Sequence, residues 1–293
     1  MTLSTISNVI NRVSSSCVLQ TVPFYKTATV SIQAGYFFSY YSATTGFTSG
    51  PTWNSAATYP TVGKTATILS QSNSGSIPFQ ASASGSDQYL IGMSFTTQLA
   101  TAVSAILVDR IAQCQLNLSE TNGNFTGFSA VDRLSPTGSF GSGAQIWCEV
   151  SENFSNTISQ FYFTYTNQDG IGSRQTPLIT TIPSATIGNS ITPTSGAYIA
   201  LQGADSGVRS IESITFVSGS SIATGKYAVC LVKPIVTSPM YNFGVSSNTT
   251  CDYLTQLPCP EKIHDDAYLT WLMWSVNSAA NAILWGTLQI LCA

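Results

Sequence analysis

Short apolar runs recur along the 293-residue chain, and clusters of Gly, Ser, Asn and Pro separate them. Near the middle of the chain, Phe161, Phe163 and Tyr165 alternate with Tyr162 and Thr164. A period of two is typical of β-strands, and the Asp169-Gly170 pair just beyond this run is a hairpin signal. The pattern therefore predicts an all-β protein of antiparallel strands.

The N-terminus has a different period. Its apolar positions follow a 3-4-3-4 spacing, which predicts a short helix within a helical arm over residues 1–24. These positions are Leu3, Ile6, Ile10, Val13 and Cys17, with Ser4 as the candidate cap. Barely two heptads cannot hold a coiled coil alone. The helix therefore either docks on its own domain or serves as an oligomerising arm.

The two halves of the chain carry similar elements about 124 residues apart. Four elements recur in the same order and with similar spacing. The matched segments are 89–95 with 213–217, 105–111 with 229–235, 144–150 with 267–274, and 158–165 with 282–290. The repeat predicts a duplicated fold, two tandem jelly-roll-like antiparallel β-sandwiches.

The repeat also suggests domain boundaries. Residues 25–175 form the first predicted sandwich, a Pro-containing linker covers residues 176–195, and residues 196–293 form the second sandwich. The first sandwich contains a long Ser/Thr/Gly/Pro-rich loop over residues 42–88. Loops of this length are uncommon without a binding role. We expect either an extended arm that packs on a neighbouring subunit or a plain intramolecular loop.

The composition is poor in charge. Only 8% of the residues are charged and the net charge is −3, whereas an average soluble domain has about 25% charged residues. The hydrophobic content of 43% is too high for a disordered chain. The acidic balance argues against a groove that neutralises nucleic-acid phosphates.

The uncharged C-terminal stretch, residues 267–293, is long enough to cross a bilayer. Four Ser and Asn side chains lie in its middle, where polar groups are costly in lipid. Its counterpart in the first half carries Glu149 and Glu152. We therefore expect two buried strands joined by a turn, not a membrane helix. Residues 1–20 show no secretory signal pattern.

The seven cysteines include no CxxC pair, and the chain has a single His, so no metal site is predicted. Four cysteines lie in apolar runs and are expected to be buried thiols: Cys114, Cys148, Cys230 and Cys292. Cys251 and Cys259 bracket a short Pro-containing loop and form the candidate disulfide. Cys17 is the candidate for a bond between subunits.

The sequence offers little for catalysis. His264 stands beside Asp265 and Asp266, as a general base or half a metal site would, but a polar turn before a buried strand explains the segment as well. There is no nucleophile elbow and no phosphate-binding loop. The aromatic segment 36–41 is either a sugar-stacking platform, together with Trp53, or a buried strand. We expect a non-enzymatic protein with no catalytic residue and no cofactor.

Two charged motifs remain, at residues 167–174 and 204–209. Because charges are so few, Arg174, Asp205 and Arg209 are expected to form specific ion pairs. These pairs lie either at the domain junction or across a subunit interface.

The same two motifs carry a resemblance. Residues 165–177 (YTNQDGIGSRQTP) and 201–214 (LQGADSGVRSIESI) are similar to segments of structural proteins encoded by tailed bacteriophages and prophages, as are 35–38, 107–110 and 231–235. The resemblance covers the chain from about Gly35 onward. It implies a virion protein that assembles in the bacterial cytoplasm with itself and with other virion proteins, above all the major capsid protein, and with no nucleic acid or membrane. It brings no catalytic residues.

Within that family we favour a capsid-associated cement or decoration protein. A neck or tail protein is the nearest alternative. A carbohydrate- or receptor-binding β-sandwich module is an alternative from another class.

Overall fold

The computed structural model describes residues 19–28, 32–41, 57–82, 87–99, 102–128, 133, 141–192, 196–218, 224–242, 246–252, 261–278 and 282–292. These residues form β-strands and connecting segments, so the all-β prediction is confirmed for them. The strands are β1 Leu19–Ala28, β2 Tyr36–Ser39, β3 Thr67–Ile68, β4 Gln88–Thr97, β5 Ala102–Asn117, β6 Gly123–Asn124, β7 Gln145–Glu152, β8 Gln160–Asn167, β9 Arg174–Gln175, β10 Ile179–Thr180, β11 Val208–Ser218, β12 Lys226–Pro239, β13 Tyr241–Asn242, β14 Ser247–Asp252, β15 Glu261–Ile263, β16 Leu269–Ser275 and β17 Ala282–Cys292.

The strands form three antiparallel sheets. The central sheet has the order β2-β16-β5-β12-β7, with β3 beside β5. The first outer sheet has the order β1-β17-β4-β14-β13, with β15 beside β4. The second outer sheet has the order β10-β8-β11-β6, with β9 beside β8.

The central sheet closes on itself through the segment 188–190. Asn189 bridges Phe38 at the edge strand β2, and Ser190 bridges Glu149 at the opposite edge strand β7. The Ser190 N–H also donates to the Phe37 carbonyl at 2.8 Å. Both edges are therefore hydrogen-bonded, which removes two open strand edges that would otherwise invite aggregation.

Each outer sheet covers one end of the outer surface of the closed central sheet. Trp271, Leu107 and Phe95 belong to the core under the first outer sheet. Cys148, Val229 and Phe163 belong to the core under the second outer sheet. A third cluster fills the inside of the central sheet, with Phe37, Trp147 and Val232 among its members. The layers bury apolar side chains on both surfaces of the central sheet, which explains why its strands are nearly continuous apolar runs.

The repeated elements occupy equivalent places. In the central sheet the matched strands β16 and β7 flank the matched strands β5 and β12, so these four strands are symmetrically ordered, with β2 added beside β16 only. β5 and β12 pair with each other, and each has an irregularity in which one residue has no opposite partner, at Ile111 and Ile235. These two isoleucines are the corresponding last residues of the matched segments. A shared bulge position supports duplication because bulges are specific local features.

The two halves interleave. β17 from the second half pairs with β1 and β4 from the first half. β8 from the first half pairs with β11 from the second half. Each outer sheet therefore takes strands from both predicted domain ranges, while the boundaries 25–175, 176–195 and 196–293 themselves stay predictions.

The N-terminal arm and the long loop can be placed only in part. Residues 19–24, the end of the predicted helical arm, belong to β1, where Val22 and Phe24 alternate into the core. The predicted helix, Leu3 to Cys17, lies outside the described residues. The described part of the long loop, residues 57–82, packs on its own chain, with Ile77 fully buried.

The uncharged C-terminal stretch forms the strands β16 and β17, as predicted. Leu272 and Leu288 on these strands are buried in the cores. Among the residues that the structure describes, no helix has the length and apolar character of a membrane span.

Candidate functional site

The two charged motifs, residues 167–174 and 204–209, meet at one carboxylate, Asp205. Arg174 binds it with two groups, Nε to Oδ2 at 2.8 Å and Nη2 to Oδ1 at 3.2 Å. The Tyr165 hydroxyl donates to Oδ2 at 2.7 Å, and the Asn167 amide donates to Oδ1 at 2.9 Å. A fork of this kind is stronger and more directional than a single contact.

This arrangement fixes the protonation of the site. The hydrogen bond from Arg174 lowers the pKa of Asp205 to about 2. Partial burial raises the pKa of Tyr165 to about 12. Asp205 is therefore charged, and Tyr165 is a neutral donor, at neutral pH.

The junction supports a rigid turn, which we call the braced hairpin (residues 167–173). The Asn167 side-chain oxygen accepts the N–H groups of Asp169 at 3.1 Å and Ile171 at 2.9 Å. Gly170 and Ser173 have positive φ angles of 79° and 57°, a region that most side chains avoid. The scaffold presents Ile171 to solvent with 56% of its surface exposed.

The third predicted charge lies at the same place. A Cβ built on Gly170 would be 3.2 Å from Nη1 of Arg209. The structure therefore brings Arg174, Asp205 and Arg209 together around the braced hairpin, within one chain. Their role between subunits stays a prediction.

A second polar cluster lies inside the central sheet and was missed by the sequence analysis. Arg110 Nη1 and Glu149 Oε1 form a buried ion pair at 2.7 Å. Trp147 Nε1 and the Tyr59 hydroxyl donate to the same carboxylate at 2.8 and 2.9 Å. The Arg110 guanidinium lies 3.8 Å from the centre of the Tyr41 ring, a cation–π contact.

Two further charged side chains are buried, Asp109 on β5 and Lys26 on β1. Asp109 accepts the Tyr268 N–H at 2.8 Å and lies 3.7 Å from Nη1 of Arg133. Burial nevertheless raises the pKa of Asp109. Lys26 on β1 is fully buried, and its ammonium lies 3.4 Å from the Tyr41 carbonyl oxygen.

A signal for these buried charges was present in the sequence. Asp109, Arg110 and Glu149 interrupt the apolar strand runs 105–111 and 144–150. Charged residues inside otherwise apolar strands are buried only when they are paired. The pattern predicts buried charge there, but it does not say which residues pair.

The remaining predicted sites have clear places. Cys114, Cys148 and Cys230 are buried thiols, as predicted, whereas Cys292 at the end of β17 is only partly buried. Cys251 is buried with its sulfur 2.9 Å from the Ser238 hydroxyl. Cys17 and Cys259 lie outside the described residues, so the disulfide and the intersubunit bond stay predictions.

The aromatic segment 36–41 is a buried strand and turn rather than a sugar platform. Phe38 and Tyr40 are fully buried. Trp53 lies outside the described residues. His264 precedes a turn, and its Nδ1 accepts the Asp266 N–H at 3.1 Å, which fits the polar-turn interpretation. No group of three or more His, Cys, Asp or Glu side chains in the described ranges is arranged to hold a metal.

Comparison with known proteins finds no matching family model and no matching curated protein. Some solved structures match at low similarity. The structure of the infectious bursal disease virus Gx strain has 9% identity and a TM-score of 0.18, covering 94% of this chain and 81% of that chain. The VP2 subviral particle of the same virus has 10% identity and a TM-score of 0.18, with coverage of 94% and 81%. Its T13 viral particle has 9% identity and a TM-score of 0.20, with coverage of 95% and 79%. TM-scores this low do not define a common fold.

Proposed function

We propose that the chain is a non-enzymatic structural subunit of a tailed-phage virion, built from two jelly-roll-like sandwiches. Its proposed place is on the capsid, as a cement or decoration protein that contacts the major capsid protein and further copies of itself. The observation that carries the proposal is the braced hairpin. The two motifs that resemble virion proteins fold against each other there and hold an exposed Ile171 in a fixed position.

The physical argument is preorganisation. An interface residue held rigidly before binding loses little conformational freedom on association. The Asn167 amide donates to Asp205, and the Asn167 side-chain oxygen accepts the Asp169 N–H inside the hairpin. An exposed isoleucine held by the braced hairpin is suited to insertion into an apolar pocket of a partner. Arg174 and Arg209 would then lie near the rim of that pocket.

The low charge of the chain supports the same proposal. Because only 8% of its residues are charged, copies of this chain can pack closely with little electrostatic repulsion. Other large apolar side chains are also exposed on the described surface. They include Leu178 and Val217.

The test is incorporation into particles. The host phage is propagated with the wild-type gene, Ile171→Asp or Ile158→Asp, and the protein is quantified by mass spectrometry in purified virions. Ile158 is the matched control because it is 50% exposed but lies outside the braced hairpin. We expect Ile171→Asp to reduce the copy number about tenfold, the effect of losing roughly 1.4 kcal/mol at a contact. Ile158→Asp should leave it unchanged.

The copy number of the wild-type protein decides its position. A number close to that of the major capsid protein supports the cement or decoration role. A few copies per particle would support a neck or tail role instead. Absence of the protein from purified virions would refute the proposal.

A further inference from the structure

The first outer sheet has an outer face whose side chains stand in register. Five residues lie directly opposite one another across five of its six strands, in the order Tyr25, Trp285, Thr96, Asn248 and Tyr241. We call this line the aromatic row. The neighbouring residues on the same strands, such as Phe24 and Leu284, are buried in the core. The row therefore points away from the core, since successive side chains of a strand face opposite sides.

Two further lines lie beside the aromatic row on the same face. The first is Pro23, Thr287, Ser94 and Thr250, and the second is Thr21, Gln289, Gly92 and Asp252. The Ser94 and Thr250 hydroxyls lie 3.3 Å apart across neighbouring strands. Asp252 is the only charged side chain in the three lines.

The two most exposed aromatic rings stand near opposite margins of the face. Tyr241 is 55% exposed and Trp285 is 38% exposed. Three strand spacings separate them, which is about 14 Å at about 4.8 Å per strand. The hydroxyl of Thr96 and the amide of Asn248 lie between the two rings.

We infer that this face binds a neutral polysaccharide lying flat across the strands. A sugar ring has an apolar C–H face, which packs on aromatic rings, and a rim of hydroxyls. Trp285 and Tyr241 offer large, rigid, amphipathic surfaces for stacking. Thr96 and Asn248 offer both donors and acceptors for sugar hydroxyls. Asp252 is the only charged side chain in the three lines, and Lys262 beside them is neutralised by its ion pair with Asp87. The face therefore matches a neutral ligand and gives little attraction for an anionic one.

The order of side chains across the face disfavours a protein partner. Stable protein interfaces place aromatic anchors in a dry centre and polar groups around the rim. Here the hydroxyl and amide groups occupy the centre, and the exposed rings lie toward the margins. A polysaccharide fits this arrangement, because its sugar rings offer C–H faces to the aromatic rings and hydroxyls to the polar groups between them.

The test is affinity gel electrophoresis of the full chain. Native gels contain hydroxyethyl cellulose, glucomannan or dextran as neutral polymers, and heparin as the charged comparison. We expect at least one neutral polymer to retard the protein and heparin to have no effect. Trp285→Ala and Tyr241→Ala should each weaken retardation about tenfold, whereas Trp285→Phe should keep most of it.

Tyr162→Ala is the matched control, since Tyr162 is a partly exposed aromatic on β8 of the other outer sheet. It should leave retardation unchanged. Circular dichroism and thermal melting show whether each variant is folded, and Tyr241→Ala at the sheet edge carries the test if Trp285→Ala does not fold. The inference is overturned if no neutral polymer retards the protein or if Tyr241→Ala leaves retardation unchanged. It is also overturned if Trp285→Ala abolishes self-association instead, since a second copy would then cover the face. The outcome is independent of virion incorporation, so this inference and the proposed function can fail separately.

Discussion

Lys26 gives the sharpest test of the buried charges. Its side chain is fully buried on β1. Burial, with a further contribution from the nearby positive charge of Arg110, lowers the pKa of Lys26 from 10.5 to about 7. The charged form of Lys26 is therefore disfavoured in the folded chain relative to the unfolded chain.

The sign of the effect follows from proton binding. Between pH 7 and pH 10.5 the unfolded chain holds a proton on Lys26 that the folded chain has lost, so the free energy of unfolding rises with pH in this window. One pKa unit corresponds to about 1.4 kcal/mol. The charged Lys26 therefore costs on the order of 5 kcal/mol below pH 7, and this cost disappears toward pH 10.5.

The perturbation is Lys26→Met, which keeps an unbranched chain of similar size and removes the titrating group. We expect the variant to be more stable than wild type at pH 6 by several kcal/mol, with the difference shrinking steadily by pH 9.5. Urea unfolding followed by fluorescence at pH 6, 8 and 9.5 measures this difference. Burial also raises the pKa values of the Cys148 and Cys230 thiols. These groups are common to both proteins, so they cancel in the comparison.

Lys226→Met is the matched control, because Lys226 pairs with Glu152 at the surface. It changes the net charge by the same amount and should not reproduce the pH-dependent gain. The reasoning is refuted if wild type and Lys26→Met show the same pH dependence of stability. A destabilised Lys26→Met at pH 6 would refute it as well.

Three further outcomes are expected. Arg110→Met should lower the free energy of unfolding by about 3–5 kcal/mol, because it leaves Glu149 buried without its partner. Adding Glu149→Leu should recover part of this loss. Equal stability of the single and double variants in urea would contradict the prediction. Gly207→Ala should lower the free energy of unfolding by about 1–3 kcal/mol, because its Cβ would collide with the Gly141 carbonyl. Gly196→Ala, whose Cβ would enter open space, should leave the thermal melting temperature nearly unchanged. Asp205→Asn should be less stable than wild type at pH 7. Its deficit should vanish as acid titration approaches pH 2, since the lowered pKa of Asp205 gives stability that is lost between about pH 4 and pH 2; a deficit that persists at pH 2 would argue against the ion pair.

Part of the candidate site could be predicted from the sequence. Arg174, Asp205 and Arg209 were singled out because charges are scarce, and the structure places all three around the braced hairpin. Ile171 was not singled out. A single apolar residue in a polar turn is a weak signal, and its exposure depends on how Asn167 and Asp205 orient the turn.

The outer face of the first outer sheet could not be predicted from the sequence. Tyr25, Trp285 and Tyr241 come from distant parts of the chain, and only strand pairing brings them into one line. The segment 36–41, which looked more like an aromatic platform, is buried. Local pattern shows that a strand has two faces, but it does not show which face another sheet will cover.

The sequence by itself determined the elements. Alternation and turn signals depend on residues close together in the chain, so the all-β class, the repeated strands and the two buried C-terminal strands were all readable. Tertiary structure alone decided the partners. β17 joins β1 and β4, and β8 joins β11, because each half buries its apolar faces against strands of the other half. The same packing placed Lys26 and the Arg110–Glu149 pair away from water. No local pattern specifies a contact between residues so far apart in the chain.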